Sequence, residues 1–149
     1  MKEAAVVDSA CLIALERIGQ LAVLTSLFEP IYAPPAVERE FGSSPPWLIV
    51  EAPQDQALVV ALKMVVDDGE AEAIALACER RCRVILDDRQ ARSVAKQLAL
   101  PLIGTVGVLV RAKHAGIILA VGPLLSALEM GGFFLSDSLK EEALRLAGE

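Results

Sequence analysis

The sequence is poor in several things, and each shortage removes a class of function. It has one histidine, His114, and three cysteines. Zinc sites draw on clustered thiols and imidazoles, and this ligand supply argues against one. An odd number of cysteines without a secretory signal reads as reduced, buried thiols, with Cys78 and Cys82 placed four apart on one helix face. Aromatic residues make up 4%, so stacking platforms for single-stranded bases are scarce. Lys and Arg number 14 against 20 Asp and Glu, a net charge of −6. That balance argues against general electrostatic binding of nucleic acid and leaves room only for a local basic patch. The longest uncharged stretches, "LALPLIGTVGVLV" and "AGIILAVGPLLSAL", are too short to span a membrane and are broken by Pro and Gly. The opening "MKEAAVVD" has no signal-peptide pattern. These absences together read as a soluble, cytoplasmic protein with no membrane partner.

What is present is apolar. Hydrophobic residues make up 54% of 149 residues, the length of one domain, read here as 1–149. The mean hydropathy is +0.51. This exceeds what a core needs, and the excess predicts apolar surface covered in a homodimer or higher oligomer. "AAVV" and "RVIL" read as buried strands, "IYA", "LIVEA" and "PLIG" as shorter ones, and helical segments stand between them. Strands alternating with helices predict an α/β fold: a central parallel sheet with helices on both faces. Double coverage explains why "AAVV" and "VIL" are wholly apolar and not alternating.

In such a sheet all the carboxyl ends lie on one edge, where open α/β folds bind ligands. Asp8 ends the first strand and Asp87–Asp88 end a later one. Asp8 suits two roles, a cap for the following helix or one corner of a charged site. Glu40 lies in "PPAVEREF" and borders the face formed by Ala36, Val37 and Phe41. In "VVDDGEAEAIALA", Asp67 and Glu70 make a D-x-x-E capping box. With Glu70 at zero on a helical wheel, Ile74 falls near 40° and Ala77 near 340°, whereas Glu72 falls near 200° beside Glu79. Glu70 is therefore expected to face inwards and Glu72 to face solvent. Four carboxylates in one cleft, Asp8, Glu40, Glu70 and Asp88, would repel strongly. A hard divalent cation, Mg²⁺ or Mn²⁺, relieves this and can polarise a phosphoryl oxygen and acidify a water. Arg89, Arg92 and Lys96 form a basic stripe beginning beside the acids, suited to phosphate or to an ordinary solvated face. Thr105, in "GTVG", is expected to cap a helix whose free N–H groups could take a phosphate.

The order "VVDS…L", "PPAVEREF", "GEAEAIALA", "VILDDRQAR", "IGTVGVL" resembles the PIN-domain family over nearly the whole length. Within it the chain looks like a small prokaryotic subfamily. The resemblance implies an α/β/α sandwich around a parallel sheet and a Mg²⁺- or Mn²⁺-dependent ribonuclease, VapC-like, the toxin of a toxin–antitoxin pair with a small antitoxin partner. It places the family's acids on Asp8, Glu40, Glu70 and Asp88, with Asp87 as the alternative fourth. It implies a metal-activated water attacking an RNA phosphodiester to leave a 5′-phosphate. Two positions depart from the pattern: Glu70 stands where aspartate is usual, and Leu86 where a hydroxyl-bearing residue often precedes the fourth acid.

Two other readings compete. An aspartate-based phosphoryl-transfer enzyme of the haloacid-dehalogenase type wants a second aspartate where Ala10 stands, and a receiver-type phosphoacceptor wants a late lysine that "PLIGT" lacks. A non-catalytic PIN-like binding module, its acids reduced to caps, is disfavoured by the complete acid set.

Overall fold

The structure, a computed structural model, describes residues 2–149. Among the described residues, five strands form one parallel sheet in the order β3-β2-β1-β4-β5. They are β1 (Glu3–Val7), β2 (Phe28–Ala33), β3 (Leu48–Val50), β4 (Arg83–Ile85) and β5 (Leu102–Ile103). The chain lays down β1, moves outwards to β2 and β3, then returns to the other side of β1 for β4 and β5. The strand order therefore reverses between β1 and β4, the place where open α/β sheets leave a crevice at their carboxyl edge.

Alternate strand residues feed opposite cores. Ala5, Val7, Ile31 and Ile85 point into a layer shared with α1 (Ser9–Arg17), α2 (Ala22–Leu27), α7 (Thr105–His114), α8 (Gly122–Met130) and α9 (Asp137–Leu146). Val6, Val84 and Leu86 point into the other, shared with α4 (Gln56–Leu62), α5 (Asp68–Arg80) and α6 (Arg89–Gln97). Helices thus cover both faces, as the unbroken apolar strands require, and the architecture is an α/β/α sandwich. α3 (Pro35–Phe41) packs between α1 and α5. Its limits are local chemistry: Pro at the first turn, where no N–H is needed, and Gly42 at φ 75° closing it in the left-handed conformation.

Three expectations are corrected. Cys82 does not share a helix face with Cys78: α5 ends at Arg80, and Cys82 lies in the lead into β4. Cys78 is only half-buried, while Cys11 is fully enclosed and burial pushes its thiol pKa up. Glu72 does not face open solvent. It is half-buried, and its Oε1 accepts the Ala36 N–H at 3.3 Å, because α3 packs against α5. Thr105 is not a cap: Gly104 holds that position, and Thr105 is the first residue of α7.

Candidate active site

β1 ends at Val7 and delivers Asp8 to the sheet edge. Asp8 occupies the position before α1 that normally caps a helix, yet its side chain makes no capping hydrogen bond. It is 4% exposed, and its Oδ1 is buried without a partner. Such a group costs free energy, and a carboxylate responds by holding its proton. The Asp8 pKa rises to about 7, mainly through burial, with the charges of Glu70, Asp67 and Glu40 adding to it and the Ser9 N–H opposing.

Glu70 carries two roles at once. The capping box forms in full: Asp67 Oδ1 accepts the Glu70 N–H at 2.8 Å, and Glu70 Oε1 accepts the Asp67 N–H at 3.2 Å. The same side chain is 8% exposed, and its pKa is pushed up to about 7 by burial first and then by Asp67, Asp88 and Glu40. The box engages Oε1 and leaves Oε2 as the oxygen Glu70 can offer elsewhere. Glu40 is exposed at the end of α3, with its carboxylate laid over Gly69 in the first turn of α5. A side chain at residue 69 would occupy the place of that carboxylate, so the glycine in "DGEAEA" has a packing reason. Burial and the neighbouring Asp67 and Asp68 raise the Glu40 pKa.

Asp87 and Asp88 part company. Asp87 Oδ1 accepts the Thr105 N–H at 2.7 Å, and Oδ2 accepts the Thr105 hydroxyl at 2.5 Å. Asp87 thereby ties the end of β4 to the start of α7. Burial raises its pKa, and the two Thr105 hydrogen bonds and the Arg92 charge pull it back. Asp88 is exposed and caps α6, accepting the Ala91 N–H at 2.9 Å through Oδ2.

A cleft of about 840 Å³ opens here, lined by Glu70, Asp87, Asp88, Arg89 and Arg92 and walled by Phe134. Arg92 Nη1 donates to the Leu86 carbonyl at 2.9 Å, which turns the guanidinium towards the sheet edge. Arg89 is exposed and forms no ion pair among the described residues. Lys96 lies farther along α6 and is not part of the cleft wall. Thr105 is fully buried with its N–H and hydroxyl both taken by Asp87, so phosphate binding is not its task. Glu40 opens on an adjoining hollow of about 620 Å³, with Lys63, Asp67 and Asp68 on its walls. Asp67 is the acid that sequence reasoning assigned only to capping. The "DDGE" run was the signal for it.

The arrangement fits a hard cation by the chemistry of its donors. Asp8 has a buried oxygen with no partner, Glu70 has one uncommitted oxygen, and both are pushed to about 7, by burial first and then by neighbouring negative charge that a cation would offset. Among the described residues, no three Asp, Glu, His or Cys side chains converge closely enough to hold an ion as they lie.

A doubly wound parallel sandwich with buried acids at its switch point belongs to a class of α/β proteins whose chemistry sits on the carboxyl edge. The family model DUF3368, described as a PIN domain, matches residues 4–149, and the chain belongs to the PIN-domain family. PIN domains are in general nucleases that use divalent metal ions. A search of curated proteins returns no match.

Proposed function

We propose that this chain is a divalent-metal-dependent endoribonuclease, the toxin-like component of a toxin–antitoxin pair. The observation that carries the nuclease reading is Asp8: a carboxylate in the capping position that caps nothing, buried with a free oxygen among Glu70, Asp67 and Glu40. Asp8, Glu70, Glu40 and Asp88 are the residues that would hold Mg²⁺ or Mn²⁺. When bound, the ion supplies Lewis acidity towards a phosphoryl oxygen and makes a water more acidic.

The chain's own groups do the rest. Arg89 and Arg92 take the phosphate on the cleft wall beside Asp88, where the guanidinium fork suits phosphate oxygens. Glu70, with Oε2 left free by the capping box, lines the cleft beside Asp88. Asp87 keeps Asp88 in place by fixing the end of β4 to α7. The toxin assignment rests on the family resemblance. Association into a dimer is supported by an apolar groove between α7 and α9, lined by Val110, Leu139 and Leu146, of which the last two are exposed.

The test is incubation of purified protein with mixed single-stranded RNA and Mg²⁺ or Mn²⁺. Fragments with 5′-phosphates are expected, absent with EDTA and absent with Asp88→Asn. Cleavage that persists in EDTA, or intact RNA under every metal condition, contradicts the reading.

A further inference from the structure

Six aromatic residues punctuate this chain, and the structure treats one of them differently. Phe28 is buried, and Tyr32, Phe41, Trp47 and Phe133 are partly buried; among the described residues Phe134 is the exposed aromatic, at 85%. It lies between α8 and α9, in a segment anchored on both sides. Phe133 packs against the core, Leu135 is buried, and Ser136 caps α9 by accepting the Leu139 N–H at 3.1 Å. Phe134 is thus held out by neighbours that are held in. Its ring walls the cleft that also contains Glu70, Asp88, Arg89 and Arg92.

We propose that Phe134 is a base-stacking platform, receiving the nucleobase next to the phosphate bound by Arg89 and Arg92. The inference deepens the reading of the site given above and rests on it for the identity of the ligand as RNA. Charge is the first argument. With a net charge of −6 and acids on the cleft wall, the protein gains little from phosphate neutralisation. A non-electrostatic source of affinity is needed, and an aromatic face supplies one that every base can use. Composition of the wall is the second. Arg89 is without an ion pair among the described residues, so the cleft offers a cation and a ring together, matching the phosphate and base of one strand. An apolar peptide would leave that cation unanswered.

The experiment measures binding separately from cleavage. Fluorescence anisotropy of labelled oligouridine and oligoadenosine is recorded in Ca²⁺ for the full chain and for Phe134→Ala, Phe134→Leu and Phe134→Tyr. A 2-aminopurine-substituted oligonucleotide reports stacking by quenching. Phe134→Ala is expected to weaken binding roughly 10- to 100-fold and abolish quenching, with the salt dependence unchanged. Phe134→Tyr should bind within about threefold of the native chain, since its ring stacks equally well, and Phe134→Leu should resemble Ala. Equal affinity in Phe134→Ala, or full affinity in Phe134→Leu, overturns the proposal. So does a loss of self-association in Phe134→Ala with RNA binding intact, which assigns the ring to a protein interface. Absence of RNA binding by the native chain overturns both this proposal and the nuclease reading. Phe134-dependent quenching without cleavage in Mg²⁺ or Mn²⁺ supports stacking and removes the nuclease. Cleavage with no Phe134 dependence of binding does the reverse.

Discussion

Asp8 and Asp87 stand at the ends of neighbouring parallel strands, both drawn out of water, and both with a pKa raised chiefly by burial. Their surroundings differ. Asp87 finds a backbone N–H and a hydroxyl on Thr105 and a guanidinium on Arg92, and these offset part of the cost. Asp8 finds Glu70, Asp67 and Glu40, which add to the cost, and one of its oxygens finds nothing. Two carboxylates at one sheet edge are thus a tether and an acid with an unpaired oxygen. The lesson is that the acid awaiting a partner is recognised by the bonds it does not make.

The sharpest way to break this comparison is to neutralise one acid at a time. Asp8→Asn and Glu70→Gln are expected to lower RNA cleavage by roughly 100-fold or more, the scale on which a placed catalytic carboxylate acts. Gln at residue 70 still suits a capping box, so the metal-free melting temperature should stay level or rise. A fall in melting temperature with cleavage intact would make Glu70 a cap and nothing else.

The next effect is on stability and falls on the tether. Asp87→Ala leaves the buried Thr105 N–H and hydroxyl without an acceptor, at a cost of about 2–3 kcal/mol. Thermal melts should show this as a drop of about 5–10 °C. A change within about 1 °C would dissolve the distinction between the two acids.

pH sharpens it further. Asp8 and Glu70 hold their protons up to about 7, far above an unfolded value near 4. The unfolded chain ionises first, so between those values the native state binds more protons and stability falls as pH rises. The contribution is full below about 4 and is gone above about 7. Without metal, the melting temperature should therefore decline from pH 5 to pH 8, less steeply in Asp8→Asn. A steeper decline in that variant, or a rise in the native chain, contradicts the assignment.

The smallest expected effect belongs to Glu72→Gln. Its amide oxygen can still accept the Ala36 N–H, so cleavage should change less than about twofold, within the range of an ordinary surface substitution.

Much of this was legible in the chain. The apolar runs at Ala5–Val7 and Val84–Leu86 announced strands covered on both faces, and a parallel sheet then placed Asp8 and Asp88 on one edge. The D-x-x-E spacing gave the capping box, and the wheel gave Glu70 its inward face. What stayed hidden was long-range. The Asp87–Thr105 hydrogen bonds join residues 18 apart on two strand ends, and nothing local distinguishes Asp87 from Asp88. The Glu72 contact joins residues 36 apart. A wheel measures angle about one axis and does not know that α3 packs against α5, so Glu72 reads as solvated. The outward turn of Phe134 was hidden too, because it depends on the core that captures Phe133 and Leu135.

Isothermal titration of Mn²⁺ into the native chain, Asp8→Asn and Asp87→Asn reads whether Asp8 is a ligand for a divalent ion. At pH 6.5, in buffers of different ionisation heat, the native chain should bind Mn²⁺ and release protons, because acids with a pKa of about 7 must ionise to become ligands. Asp87→Asn should bind similarly, and Asp8→Asn should lose both the binding and the proton release. Equal Mn²⁺ binding by Asp8→Asn and the native chain, or its loss only in Asp87→Asn, would contradict the account.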